Sequence, residues 1–206
     1  MANLIRLSND LVSGALVSFV GDVARNPSEG RISGRIAMRD VVREYMLTVA
    51  PKHSDEVVKI VMALRGSRYP LSLRDYAYNY VLDDEEIQHT GEVALIGRTW
   101  EPATGDLSVY ERILLIDQSE TPFVVKVNGG VPSPALYTFE DFGKINITGL
   151  QDSDTVTVSG QYLIPVCIVD APSTTIITNS NGTTLHRFSE IRLEQIFEAE
   201  LEQLVG

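Results

Sequence analysis

Apolar and polar positions alternate along most of this chain, and only a few segments break that rhythm. Near the start, two apolar runs, Gly14–Val20 and Arg35–Val42, flank the polar, Gly- and Pro-containing stretch Gly21–Gly34. That pattern predicts strand, loop, strand. Arg43–Ala50 (REYMLTVA) alternates roughly and is expected to continue the second strand.

A helix is predicted at Ser54–Arg65. Ser54 can cap the free N–H groups, and Asp55 and Glu56 suit the positive end of the helix dipole. Val57, Ile60, Val61 and Leu64 then fall at i, i+3, i+4 and i+7, one buried face. Arg65 followed by Gly66 is a stop signal.

From Ser67 to Thr178 the period is that of strands. Val93–Ile96 and Leu107–Ile116 flank the turn-rich Trp100–Asp106 (WEPATGD), and Phe123–Asn128 alternates into the NGG turn at Asn128–Gly130. Lys144–Thr148 and Thr155–Val169 are further strands around the loop Gly149–Asp154. Short strands separated by turn signals predict a mainly β fold, a β-sandwich or barrel, with one packed helix. Thr184–Arg192 reads as a strand. Beyond it, residues 193–206 form a tail with an apolar stripe at Leu193, Ile196, Phe197, Leu201 and Leu204. That tail is expected to be helical, packed either on its own domain or on a neighbour. Residues 1–192, helix 54–65 included, are expected to form one β domain.

Composition narrows the picture. The chain has 206 residues, 44% of them hydrophobic, enough for a core without metal or disulfides. The single Cys167 lies in the apolar run Tyr162–Val169 and is expected to be a buried, inert thiol. Neither a secretory apolar stretch in MANLIRLSND nor a bilayer-length apolar run is present. The expectation is a protein made and kept in a reducing cytoplasm, where the sequons at Asn146 and Asn181 carry no meaning. A net charge of −11 argues against a grip on nucleic acid, which needs clustered Lys and Arg.

Chemistry is hard to find. The sequence contains no phosphate-binding glycine loop and no nucleophile elbow. His53, His89 and His186 share no metal-ligand spacing. The acid run Asp83-Asp84-Glu85-Glu86 could hold a hard cation but lacks an EF-hand's alternation and central glycine, so a solvated loop is expected. Asp152-Ser153-Asp154 reads as a turn. No catalytic, cofactor-binding or metal-ligating residue is assigned, and the chain is not expected to be an enzyme.

Three stretches together carry a resemblance. They are Arg65–Tyr76 (RGSRYPLSLRDY), Tyr110–Ile113 (YERI), and the blocks VKVNG from Val125, YTFEDFGKINITG from Tyr137 and DTVTVSGQYLIPV from Asp154. In their order and spacing they resemble the distal tail protein family of long-tailed bacteriophages and gene-transfer agents, over roughly residues 14–192. Within the blocks, Asn128-Gly129 signals a hairpin turn, Gly143 opens a strand, Ser159-Gly160 allows a bend, and Pro165 suits an edge or bulge. Arg74–Asp75 beside Tyr76 reads as a structural pair.

The resemblance implies a structural virion protein of the phage tail, a hub forming a ring, usually hexameric, that connects the tail tube to the baseplate or tail tip. Its partners would be other copies of itself, the tail tube protein, and baseplate or tail-fibre proteins. DNA would only pass through the lumen, whose acidic lining would repel phosphates. No membrane insertion, metal or cofactor is implied. The rival readings are a receptor- or carbohydrate-binding β-sandwich, which exposed aromatics clustered on one loop edge would favour, and a hydrolase, whose mark would be convergent carboxylates in a pocket.

Overall fold

A computed structural model of the chain describes residues 4–12, 16–20, 23–24, 37–38, 42–47, 70–76, 80–100, 109–169, 174–178, 184–188 and 191–205. The predicted helix Ser54–Arg65, with Val57, Ile60, Val61 and Leu64, lies outside these residues, as do the turn residues 101–106. What is described is mostly β, with a C-terminal helix at Glu198–Val205 and a single helical turn at Asn9–Val12. No helix among the described residues is long and apolar enough to cross a membrane.

The chain divides into two compact units, each assembled from separate stretches of sequence. One comprises Met1–Leu7, Leu71–Pro165 and Glu198–Gly206; the other, Ser8–Pro70 and Val166–Phe197.

In the first unit, Val81–Thr90 and Val93–Leu95 form a tight hairpin, with Thr90 opposite Val93. Val93–Leu95 pairs with Lys144–Ile147, which pairs in turn with Tyr137–Glu140. On its other edge Val81–Thr90 runs antiparallel to the long strand Val156–Ile168. That strand also pairs with Val124–Val127 and Leu115–Asp117. Gly97–Trp100 pairs with Val109–Arg112 as a hairpin, and Ile5–Arg6 lies parallel to Leu71–Leu73. The pleat sorts side chains by period two: along Lys144–Ile147, Ile145 and Ile147 are buried while Lys144 and Asn146 stay partly exposed. Leu71, Leu73, Leu82, Ile96, Val125, Val156 and Val158 complete this core. Each fully buried aliphatic side chain contributes roughly 1.5–3 kcal/mol.

The expected turns are there. Asn128 and Gly129 both take left-handed backbone, φ 51° and 78°, and Val127 and Gly130 exchange two backbone hydrogen bonds across them. That is the two-residue primed turn that Asn-Gly favours. Gly143 has φ 67°, and a Cβ there would overlap the carbonyl oxygen of Ile113, so the glycine is needed for backbone approach as well as conformation. At Ser159 the register against Val81–Thr90 slips, a bulge that bends the strand ahead of Tyr162. Pro165 has no N–H to give a ladder. It falls between Leu163, paired with Leu115, and Val166, paired with Gln195.

In the second unit Val42–Leu47 is flanked by Leu16–Val20 and Ile191–Gln195, both antiparallel. Val166–Ile168, the end of the long strand, pairs with the outer side of Ile191–Gln195. Tyr45, Leu47, Ile191 and Leu193 are buried, and so is Cys167, as its apolar run predicted. Two short ladders, Val23–Ala24 with Ala37–Met38 and Thr174–Thr178 with Thr184–Phe188, complete the unit.

Two local expectations are corrected. The acid run Asp83–Glu86 is not a solvated loop but the middle of the strand Val81–Thr90. Four consecutive acids show no apolar alternation, which is why the run reads as a loop in sequence; Asp84 itself takes left-handed backbone, φ 50°. The tail boundary also moves. Leu193 belongs to the strand Ile191–Gln195, the helix begins only at Glu198, and Leu193, Ile196 and Leu201 are all buried within the chain. Most of the apolar stripe therefore already has its cover; Phe197, 37% exposed, and the half-buried Leu204 are the parts that reach water.

Candidate functional site

The most heavily built polar site lies in the first unit around Arg74. The strand Leu71–Leu73 is buried at all three positions and delivers Arg74 and Asp75 directly into the interior, at 3% and 1% exposure. Leu115–Asp117 ends an apolar run and brings Asp117, also 3% exposed, to the same place. Arg74 Nη2 and Nε donate to Asp117 Oδ2 at 2.6 and 2.9 Å. Arg74 Nη1 donates to both oxygens of Glu120 at 3.0 and 3.1 Å, and Nη2 also reaches Gln161 Oε1 at 2.8 Å. The guanidinium stands 5.2 Å from the ring centre of Tyr80, which packs edge-on against Tyr76.

Asp117 is engaged on its other side as well. Its Oδ1 accepts from the Ser119 amide at 3.0 Å, the Ser119 hydroxyl at 2.6 Å and Arg6 Nη1 at 3.2 Å. A carboxylate offers about four lone-pair sites, and these donors fill them. Burial pushes the Asp117 carboxyl up, but the hydrogen bonds from Ser119 and Arg74 outweigh it and hold the group below its ordinary value. For Arg74, burial opposes the charge, while the hydrogen bonds to Asp117 and Glu120 more than offset it and keep the guanidinium firmly protonated. A carboxylate so saturated is a poor proton acceptor. The cluster can fix four chain segments against one another, those of Arg6, Arg74, Asp117 and Gln161; it offers no free base or nucleophile.

The other groups singled out by sequence gather elsewhere in the same unit. Glu85, Glu86, His89, Asp152 and Asp154 line one open polar cleft of about 690 Å³. The acids in and beside it are largely committed to the fold. Lys126 Nζ donates to Asp84 at 2.7 and 2.8 Å, which lowers that carboxyl; Glu85 accepts from the Thr99 amide at 3.1 Å. Asp152 accepts from the Gly91 amide, and Asp154 from the Gln151 amide and the Asn128 side chain, bonds that hold the Asp154 carboxyl below its ordinary value. His89 Nε2 donates to the Asp154 carbonyl at 2.8 Å. So Asp152-Ser153-Asp154 is the turn that the sequence predicts. Among the described residues no three His, Cys, Asp or Glu side chains are placed to hold a metal. His53 lies outside the described residues, and His186 sits in the strand Thr184–Phe188.

No family model matches this chain, and no curated protein does. The site has to be read from its own geometry.

Sequence reasoning found Arg74 and missed Asp117. Its only local signal is an acid closing the apolar run Ile113–Ile116, where a solvated turn residue and a buried ion-pair partner look alike. A second node was also missed. Glu198, opening the C-terminal helix, bridges Arg112 Nη1 at 3.2 Å and Lys144 Nζ at 3.1 Å, and Arg112 donates to the carbonyl of Phe142 at 2.9 Å. Phe142 has left-handed backbone, φ 59°, unusual for an aromatic residue. Arg112 and Lys144 both belong to the blocks that carry the family resemblance.

Proposed function

We propose that this protein is a structural component of a phage-like tail, a hub whose copies form a ring, with hexameric closure expected, between the tail tube and the baseplate or tail tip. One observation carries the reading: the residues of the resembling blocks are the architectural ones. Asn128-Gly129 makes a primed turn, Gly143 a close backbone approach, Ser159-Gly160 a bulge, and Arg74 a buried clamp on Asp117. Such motifs specify a shape, which is what a scaffold protein requires of its sequence. The saturated Arg74–Asp117 cluster supports the same reading, because its groups are occupied with one another.

Under this reading the partners are other copies of the chain, the tail tube protein and baseplate or fibre proteins, in a virion tail assembled inside a bacterial host. The net charge of −11 suits a channel past which DNA slides without sticking. The deciding experiment is imaging of the intact particle. Copies arranged around the tail axis at the junction of tube and baseplate are expected. A position on the capsid, or as a single copy at a fibre tip, overturns the proposal.

A further inference from the structure

An asparagine followed by glycine is prone to spontaneous loss of its side-chain amide. The glycine nitrogen attacks the carboxamide carbon Cγ, and the new C–N bond closes a five-membered succinimide ring. The Cγ–Nδ2 bond breaks, and ammonia leaves with the proton given up by the glycine amide. Water then opens the ring at one carbonyl or the other, giving aspartate or isoaspartate. Glycine favours the attack because it has no side chain to crowd its nitrogen. Asn128-Gly129 is such a pair, and both residues are exposed to the water that the reaction needs. Gly129 also stands in open space.

The fold holds the reacting atoms apart. Positive φ at both central residues, 51° and 78°, makes the turn type I′. In that type ψ of the first central residue is about +30°, whereas the ring closes only with Cβ eclipsing the next nitrogen, at ψ of roughly −120°, the value of a type II′ turn. In the turn found here Cβ of Asn128 therefore points away from the Gly129 nitrogen. The side chain is clasped as well. Asn128 Oδ1 accepts from the Thr155 amide at 2.9 Å, and Nδ2 donates to Asp154 Oδ1 at 2.8 Å. The Asn128 amide donates to the Thr155 carbonyl at 2.8 Å, and Asp154 is itself fixed by the Gln151 amide at 2.8 Å. Bringing Cγ to the Gly129 nitrogen requires the turn to open between Val127 and Gly130 and the carboxamide to leave Asp154 and Thr155.

We propose that Asn128 is a modification site gated by the fold: it deamidates only when the turn and its clasp open, and the product cannot rebuild the clasp. Aspartate at this position sets a carboxylate against Asp154 where an N–H donor stood, and isoaspartate lengthens the backbone of the turn. Like charges in contact repel, so the altered turn does not regain its hold on the Gly149–Asp154 loop. The reaction is a one-way mark on copies that have opened here, whatever they assemble with.

The test is incubation of the purified full chain in mildly alkaline buffer at body temperature, followed by tryptic digestion and mass spectrometry. The peptide Val127–Lys144 holds Asn128 as its sole asparagine, and the second Asn-Gly pair, Asn181-Gly182, outside the described residues, falls in another peptide. The same peptide, released before incubation, sets the unhindered rate. Deamidation in the chain should run at least about tenfold slower, and by no less than the protection of the Thr155 amide against hydrogen exchange, since that amide is freed only with the clasp. Equal rates in chain and peptide, or a slowing well short of the Thr155 protection, overturn the inference. Asp154→Ala removes the acceptor of Nδ2 and, while its circular dichroism remains that of the wild type, should deamidate several-fold faster. An unchanged rate in the folded variant overturns the gate; if the variant does not fold, the Thr155 comparison on the unaltered chain decides. Asn128→Asp tests the one-way step. Asp-Gly suits a primed turn as Asn-Gly does, so a melting temperature below the wild type at neutral pH reports the lost clasp, and an unchanged one overturns that step.

Discussion

Arg74 and Asp117, distant in sequence, meet in the interior with Nη2 2.6 Å from Oδ2, each side chain 3% exposed. The pair joins the strand Leu71–Leu73 to the strand Leu115–Asp117, and Arg6 and Gln161 bring two further segments to it. A buried ion pair gives little net stability against an apolar substitute for both partners, yet removing one partner leaves the other charged and dry.

Arg74→Met should therefore cost about 3–5 kcal/mol of unfolding free energy. Glu120→Gln, at the same guanidinium but 53% exposed, should cost about 1 kcal/mol or less. Urea denaturation of the three proteins measures both. Equal losses would mean that the buried contact to Asp117 is no more important than the surface one.

Acid should weaken the fold through the same residue. The Asp117 carboxyl lies below its ordinary value of 3.8 in the folded chain, so the unfolded chain binds the proton more readily. Its contribution is present in full above that ordinary value and is lost as pH falls through the lower, folded one. The melting temperature of the wild type should hold through mild acid and fall steeply below about pH 4. Asp117→Asn, lower in stability to begin with, should show a shallower fall over that range. Parallel curves would remove Asp117 as the source. Asp84 and Asp154 are also lowered but lie at the surface, where solvent screens their pairs.

How much of this was legible in the sequence follows how local each cause is. The Asn128-Gly129 turn, the strand that Gly143 opens, the bend at Ser159-Gly160 and the burial of Cys167 each leave a mark within a few residues of sequence, although the bulge and the Gly143 approach also need distant partners. Asp83–Glu86 was misread because its strand partner comes from far along the chain. Thr157 stands opposite Glu86 and Lys126 neutralises Asp84, so an acid run that looks solvated is tolerated on a sheet. Arg74 was noticed as a structural residue, but its partner lies across a sequence gap that no periodicity spans.

Two glycines with similar backbone should behave very differently. Gly129 has φ 78° and open space around it, so Gly129→Ala should cost only the strain of left-handed backbone, about 1 kcal/mol. Gly143 has φ 67° and the Ile113 carbonyl where a Cβ would go. Gly143→Ala adds an overlap with backbone that cannot move aside, and its loss should be at least twice as large. Thermal melts of the two variants make the comparison. A smaller effect at Gly143 would show that the Gly143–Ile113 approach can relax.

The C-terminal helix Glu198–Val205 gives the last contrast. Eight residues are too few to hold a helix alone in water, so its packing must hold it. Two anchors are available: Leu201, fully buried, and the Glu198 carboxylate between Arg112 and Lys144, whose side chains are 27–33% exposed. Solvent screens the charge contacts, so Glu198→Gln should cost less than about 1 kcal/mol. Leu201→Ala leaves a cavity or undocks the helix, at about 2–5 kcal/mol. Hydrogen exchange over residues 198–205 separates the cases. Protection should survive in Glu198→Gln and collapse in Leu201→Ala. The reverse order would mean that the helix is held by its charges, and high salt would then release it in the unaltered protein as well.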